Sequence, residues 1–207
     1  MNIAYILEMS EQFIADIAAI MPEPLEIADR RHFASRIACS LALEHWTAAK
    51  ILFSALLLPS AVTVHRSQFE SLVRSIWLLH AASDLDVAKL TSSLTNETEQ
   101  AAKNSTGLQE MISEIQKKCP AEAYNALARF RDNALKPINS YVHTGIHSLN
   151  RHATGYPEKL VIDVLRNSNG IALMTFMHKC ILANRQDCQR TILGIAAQYP
   201  ACMPAPL

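Results

Sequence analysis

The sequence predicts an all-α protein that folds as a single domain. Half of its 207 residues are apolar and only five are glycine, so residues that favour helices abound and glycine-dependent hairpin turns are few. Along several long segments the apolar residues recur at the spacing of a helix with one buried face. A chain of 23.0 kDa suits one hydrophobic core better than two. We therefore expect a helical bundle with one long antiparallel helix pair.

The long pair is expected to be the second and third helices. The first helix is expected over 2–21, where the "MPEP" stretch ends it. The second is expected over about 27–57 and the third over about 59–82, where Pro59 is tolerated because the first turn needs no intrahelical N–H. Two long helices joined so tightly should pack antiparallel. The core-facing residues of the second helix are expected to be Phe33, Ile37, Leu41, Ala48, Ile51 and Ala55.

Shorter helices should follow the long pair. Ser83 and Asp84 can cap a helix over 85–94, and the polar stretch 95–107 should be a loop or an exposed helical excursion. Helical patterning resumes at Leu108 and again after Pro120, until Pro137 ends it. The last helices are expected over 158–183 and 188–198. The domain then divides into an N-terminal helix over 1–26, a core bundle over 27–183, and a C-terminal helix and tail over 184–207.

Composition narrows the range of partners. Lys and Arg together number 19, as do Asp and Glu, so binding to nucleic acid would depend on a local basic patch. The longest apolar run, 51–64, is shorter than the roughly 20 residues that span a bilayer, so we expect no membrane association. The N-terminus lacks the basic start of a secretory signal, and the five cysteines form no C-x-x-C motif. These features favour a reduced, cytoplasmic protein.

Several polar residues fall on the predicted apolar faces. On the third helix Arg66, Glu70 and Arg74 form a ladder at four-residue spacing beside the core stripe. The other residues expected to face inward are Glu44, His80, Asn167 and His178. Because an unpaired buried charge is too costly to persist, Arg66 needs a carboxylate, from either Glu44 or Glu70. We predict an internal Arg–Glu–His network, which either fixes the helix register or orients groups at a pocket.

The segment "INSYVHTGIHSLNRH" (138–152) is unusually rich in histidine. His143 and His147 have the spacing of a helical metal site, but the zinc-protease Glu is missing and Gly145 disfavours a firm helix. We therefore expect no metal, and the missing phosphate-loop and dinucleotide fingerprints predict no cofactor. Acid–base chemistry on RNA remains, since histidine transfers protons near neutral pH and arginine stabilises phosphate charge.

The order of these motifs resembles that of a known group of proteins. A long helix pair carrying "RSQFESLVRSIWLL", followed by "INSYVHTG" and a terminal helix, resembles a group of uncharacterised bacterial all-helical proteins over roughly 27–183. That group is distantly similar to the HEPN superfamily of helical ribonucleases, toxins and defence proteins. The resemblance implies a HEPN-like bundle that acts as a homodimer on RNA without metal, with an antitoxin or a defence protein as partner.

The resemblance also suggests roles for individual residues. His143 would be the general acid and base with His147 as its helper, while Arg66 or Arg74 would bind phosphate. Glu70 would orient the arginine. Asn139 and Tyr141 would contact the substrate.

The spacing of the expected HEPN motif differs in this chain. HEPN nucleases carry an arginine a few positions before the histidine, whereas eleven residues separate Arg131 from His143. This difference favours a second hypothesis, a non-catalytic helical module. Such a module would dimerise, or bind a protein or a small anionic ligand, through the face that carries Arg66, Glu70 and Arg74.

Overall fold

A computed structural model describes residues 2–21, 29–103 and 105–205. Within these ranges the chain is helical with no β-strand, as the sequence predicts. The helices are α1 (Ile3–Ile20), α2 (Arg30–Ser54), α3 (Leu58–His80), α4 (Asp84–Leu90), α5 (Asn96–Ala102), α6 (Leu108–Lys118), α7 (Ala121–Phe130), a π-helical turn (Arg131–Leu135), α8 (Lys136–Val142), α9 (Ile146–Thr154), α10 (Glu158–Leu182) and α11 (Cys188–Gln198).

The antiparallel hairpin of α2 and α3 forms the centre of the fold. Ser35 and Ser75 bridge the two helices reciprocally, because each hydroxyl donates to the other residue's carbonyl oxygen at 2.8 Å. Farther from the connecting turn, Arg31 donates to the carbonyl oxygens of Leu78 and Ala82, both at 2.8 Å, near the end of α3. Helix α10 packs against both members of the pair. The predicted antiparallel pair is therefore confirmed.

The buried face of α2 differs from the prediction. Small side chains make up most of that face, including Ala34, Ser35, Ala38, Cys39, Ala42 and Ala49. They let the backbones of α2 and α3 approach closely, so the four bulky apolar residues that were expected to face the core lie on the outer face. Phe33, Ile37, Leu41 and Ile51 are 39%, 46%, 41% and 62% exposed, respectively. Glu44 lies on the same outer face and is exposed, so the prediction that it faces inward is wrong.

Helix α3 follows its predicted core stripe more closely. Val62, Phe69, Val73 and Ile76 are all buried, as expected. They belong to one of two apolar clusters, which joins α3 to α6 and α7. The second cluster joins α1 and α11 to the inner sides of α2 and α10. The long helices α2, α3 and α10 contribute to both clusters, so they link the two halves of the core.

The helix that contains Pro137 does not end there. It continues from α7 through the π-helical turn into α8, whose second residue is Pro137. Proline lacks an N–H and its ring clashes with the carbonyl oxygen four residues earlier, so a regular α-helix would kink or end at this point. The wider turn immediately before Pro137 relieves that conflict, and the chain stays helical to Val142.

Asn169 joins four parts of the fold in the interior. Its side-chain oxygen accepts the Trp46 indole N–H at 2.9 Å, and its amide donates to Ser10 Oγ at 2.7 Å and to the Cys202 carbonyl at 2.9 Å. These bonds connect α10 to α2, α1 and the C-terminal segment. Asn169 is fully buried, whereas Asn167, predicted to face inward, is only half-buried. The inward position therefore lies two residues beyond the predicted one.

Asn169→Ala should destabilise the protein by about 2–4 kcal/mol, because it leaves several buried polar groups without partners. Urea unfolding followed by circular dichroism measures this loss. Asn167→Ala, the matched control on the same helix, should change the free energy of unfolding by less than about 1 kcal/mol. Equal effects of the two substitutions would contradict the assigned role of Asn169.

Candidate functional site

Arg66 forms the centre of a polar clamp between α3 and α8. Its Nε donates to Asn139 Oδ1 at 2.8 Å, and its Nη1 donates to Glu70 Oε2 at 2.7 Å. The Arg66 side chain is only 16% exposed, so both bonds form in a partly desolvated environment. The structure thus selects Glu70 rather than Glu44 as the carboxylate partner. The clamp holds α8 in place against α3.

Glu70 also lies near a second arginine. Its Oε1 is 4.0 Å from the nearest Arg74 nitrogen, so the predicted ladder forms with the carboxylate between two guanidinium groups. The Arg66 charge is therefore balanced by Glu70, and its Nε is used by Asn139. This arrangement suits a structural clamp better than an open phosphate site.

His143 does not join this clamp. It is exposed at the end of α8, and its imidazole makes no hydrogen bond with any described residue. The turn that follows, with Thr144 at φ 51°, leads directly into α9. There Ser140 accepts the Gly145 N–H with its carbonyl at 2.6 Å and the His147 N–H with its hydroxyl at 3.0 Å. The hypothesis that His143 meets Arg66 in one network is not supported by this geometry.

The two other predicted histidines lie at the far end of the α2–α3 pair. His178 is buried, with Nε2 3.2 Å from Ser35 Oγ. His80 is the last residue of α3 and is exposed, so its predicted inward position is wrong, although its ring centre lies 6.1 Å from that of His178. Helix α3 ends at His80, so its side chain projects past the core. The histidines and the arginine clamp therefore form separate groups.

Sequence reasoning missed another buried histidine on α3. His65 is fully buried; its Nδ1 lies 3.0 Å from Gln68 Oε1, and the Gln68 amide donates to the Ser168 carbonyl at 2.9 Å. The Nε2 atom of His65 is buried without a hydrogen-bond partner. The sequence signal for its burial was the spacing of His65 from Val62 and Phe69, because steps of three and four residues place all three side chains on the same side of α3.

A small apolar cavity lies beside the arginine clamp. Its volume is about 250 Å³. The end of α2, the start of α3 and helices α8, α9 and α10 enclose it. Its apolar lining is Phe53, Leu58, Val62, Pro137, Ile138, Leu160, Val161 and Val164, and its polar lining is Tyr141, His147, Arg151 and Tyr156. Thus Tyr141 and His147, predicted as substrate and catalytic residues, meet at this cavity rather than at Arg66.

Two donors on the polar side of the cavity have no partner among the described residues. The Tyr156 hydroxyl is buried and has no hydrogen-bond partner. Burial raises the pKa of both the Tyr156 and Tyr141 hydroxyls, and the positive charge of Arg151 partly opposes this rise. Arg151 is itself half-buried, and its guanidinium forms no ion pair or hydrogen bond with a described residue. The cavity therefore presents hydrogen-bond donors and a positive charge that the described residues leave unmatched.

A larger cleft lies on the other side of α10, next to the π-helical turn. It has a volume of about 490 Å³, and Asn167 lies on its wall. The C-terminal segment borders this cleft and engages its arginines. Arg129 donates to the Ala205 carbonyl at 2.5 Å, and Arg166 donates to the Ala201 carbonyl at 2.9 Å. Its charged groups thus already have partners within the chain, unlike Arg151.

The described residues also bear on metal binding and on membrane insertion. Across residues 2–21, 29–103 and 105–205, no group of three or more His, Cys, Asp and Glu side chains is placed to hold a metal ion. In the same part of the chain, no helix combines the length and apolarity needed to cross a bilayer.

Comparison with known proteins identifies the family. A family model matches residues 39–205, a range that includes the arginine clamp and the whole cavity lining. The chain belongs to the DUF6988 family. This is a family of unknown function, so the match supports the expected relation to an uncharacterised family and leaves the HEPN resemblance a hypothesis. No curated protein and no solved structure matches the chain.

The two buried histidines should make stability depend on pH. Burial lowers the pKa of His65 to about 4, and burial together with nearby His80 lowers that of His178 to about 3. Below about pH 6.5 the unfolded chain binds protons at these sites while the folded chain does not. The free energy of unfolding should therefore fall as the pH drops from about 6.5 to about 4, by up to about 1.4 kcal/mol per pH unit for each histidine.

Urea unfolding between these pH values tests this dependence with His178→Gln. Removing one buried histidine should flatten the pH dependence of stability, while His147→Gln, at an exposed position, should leave it unchanged. Indistinguishable slopes for the wild-type protein and His178→Gln would contradict the assignment.

Proposed function

We propose that this protein is a helical ligand-binding module that takes a small organic anion with an apolar body into the 250 Å³ cavity. The observation that carries the proposal is the unmatched pair of donors on the cavity wall, the buried Tyr156 hydroxyl and the Arg151 guanidinium. Ligand sites typically combine a mostly apolar lining with a few convergent polar groups. The cavity has this composition.

The apolar walls define the body of the ligand. Phe53 and Leu58 border one side, and the valines and leucine of α10 border another. At 250 Å³ the cavity is slightly below the roughly 300–1,000 Å³ of common small-molecule sites, so it suits a compact ligand. A single aromatic ring or a short branched chain matches this description.

The polar wall defines the head group. A tyrosine hydroxyl with no acceptor and a guanidinium with no carboxylate both require oxygen acceptors, and a negative charge would balance the arginine. Leaving a buried donor unpaired costs about 1–3 kcal/mol, so a ligand that accepts from Tyr156 recovers that cost. A carboxylate is the smallest group that meets both requirements.

Benzoate and its uncharged analogue benzyl alcohol test the proposal by isothermal titration calorimetry. The wild-type protein should bind benzoate about tenfold more tightly than benzyl alcohol, because only benzoate pairs with Arg151. Arg151→Gln should remove this preference. Arg190→Gln, an exposed control on α11 with the same charge change, should retain it.

Tyr156→Phe separates binding from folding. The substitution should weaken benzoate binding without lowering the free energy of unfolding, because the hydroxyl has no partner in the chain. If benzoate does not bind, or binds Arg151→Gln and the wild-type protein equally, the proposed anion site is wrong.

A second candidate, metal-independent cleavage of RNA, is favoured by one observation. His143 and His147 are both exposed and lie on either side of a single tight turn, and His143 follows Asn139, the partner of Arg66, by one turn of α8. Paired histidines can act as acid and base, with an arginine stabilising the phosphate. This candidate has less support, because Glu70 already neutralises Arg66.

Cleavage of structured and unstructured RNA in the presence of a chelator tests the second candidate. If the protein is a nuclease, His143→Ala should reduce the cleavage rate at least about 100-fold, the typical contribution of a general acid or base. His152→Ala, an exposed control in the same segment, should not change the rate. No cleavage by the wild-type protein, or a rate unaffected by His143→Ala, would eliminate this function.

A further inference from the structure

The outer face of α2 is apolar although it lies at the surface. Phe33, Ile37 and Leu41 lie on this face and are each at least 39% exposed. The inner face of α2 is also apolar, because alanine and cysteine fill most of it. A helix that is apolar on both faces is expected to be covered on both, whereas a surface helix normally has a polar outer face.

Two opposite charges lie at the ends of this apolar stripe. Arg30 begins α2 and Glu44 lies about four turns later, and both are exposed. At about 100° per residue, these two residues and the three apolar residues between them, Phe33, Ile37 and Leu41, fall within an arc of about 80° on the helix surface. Within the described residues, neither the Arg30 guanidinium nor the Glu44 carboxylate has a hydrogen-bond or ion-pair partner. Both charges can therefore contribute to an interface at this face.

The stripe is symmetric about Ile37. Phe33 and Leu41 each lie four residues from Ile37, and Arg30 and Glu44 each lie seven residues from it. If a second α2 packed antiparallel across this face, Ile37 would meet its own copy and Phe33 would meet Leu41. Arg30 would meet Glu44 at both ends. A two-fold interface requires this kind of self-complementarity, since one patch must match itself.

We propose that the stripe formed by Arg30, Phe33, Ile37, Leu41 and Glu44 is an isologous interface with a second copy of this chain. The order of charges fits the partner's helix polarity as well, because Glu44 of one copy would lie at the positive N-terminal end of the other α2. A different partner would not require a pattern symmetric about one residue. The interface lies outside the cavity lining, so it is independent of the proposed ligand site.

The expected dimer is of moderate affinity. The stripe covers about 21 Å of helix, which corresponds to an interface at the small end of those that form stable complexes. We expect a dissociation constant of about 1–50 µM. In a small interface, most of the free energy gained by burying apolar surface is offset by the entropy lost on association. Sedimentation equilibrium of the full chain over about 1–200 µM covers this range.

Charge reversals test the pairing in the dimer. Arg30→Glu or Glu44→Arg alone should weaken the dimer at least about tenfold, because each places like charges opposite each other at both ends. The double variant Arg30→Glu/Glu44→Arg should restore dimerisation, since it exchanges the two charges. Recovery in the double variant distinguishes the interface from a loss of folding.

Cross-linking tests the position of the two-fold axis. Ile37→Cys should form a disulfide-linked dimer under mild oxidation, because the axis brings the two copies of residue 37 together. Leu193→Cys is the matched control, since Leu193 is 48% exposed and Ile37 is 46% exposed. The wild-type protein measures background linkage through its own free cysteines.

Two results would overturn the proposal. One is a wild-type chain that remains monomeric up to about 200 µM, which would leave the stripe to a different partner. The other is a dimer that persists unchanged in Ile37→Asp and fails to cross-link through Ile37→Cys, which would place the contact elsewhere. Benzoate binding should be the same in Ile37→Asp and in the wild-type protein, so failure of this interface and failure of the ligand site are distinguishable.

Discussion

The close approach of α2 and α3 is the constraint on which the rest of the structure depends. Small residues on α2 let the two backbones come together, and the reciprocal hydrogen bonds between Ser35 and Ser75 fix their register. The third long helix, α10, packs against both and attaches through Asn169. Because small residues face α3, the bulky residues Phe33, Ile37 and Leu41 lie on the outer face of α2, while Trp46 and Phe53 are buried farther along the helix. The packing that defines the core thus also creates the exposed stripe centred on Ile37.

The arginine clamp transmits this constraint to the cavity. Val62 and Ile138 line the cavity. Arg66 lies one turn after Val62 on α3, and Asn139 follows Ile138 on α8. The hydrogen bond from Arg66 to Asn139 therefore sets the distance between these two cavity walls. The π-helical turn before Pro137 keeps α8 continuous with α7, which lets Tyr141 reach the same cavity. The residues that resemble a catalytic ladder therefore act mainly through geometry. They help to define a space that is lined by other residues.

That space is maintained at a cost to stability. The Tyr156 hydroxyl is buried without a partner, and the Arg151 guanidinium has no carboxylate partner among the described residues. An unpaired buried hydroxyl costs free energy in the folded protein. Other buried polar groups form hydrogen bonds within the chain, as Asn169 and Ser35 do, although His65 Nε2 also lacks a partner among the described residues. The cavity wall thus carries two donors, the Tyr156 hydroxyl and the Arg151 guanidinium, that have no partner among the described residues.

The helical class, the long antiparallel pair and most helix boundaries could be predicted from the sequence alone, because they depend on local periodicity and spacing. Spacing also narrowed the carboxylate partner of Arg66 to two candidates, Glu44 and Glu70. The sequence could not decide which face of α2 is buried, since both faces are apolar and only the closeness of α3 selects the smaller side chains. It also could not place His143 at the surface or bring Tyr141, His147, Arg151 and Tyr156 to one cavity. Those positions depend on how helices distant in sequence pack together, and no spacing along the chain encodes that contact.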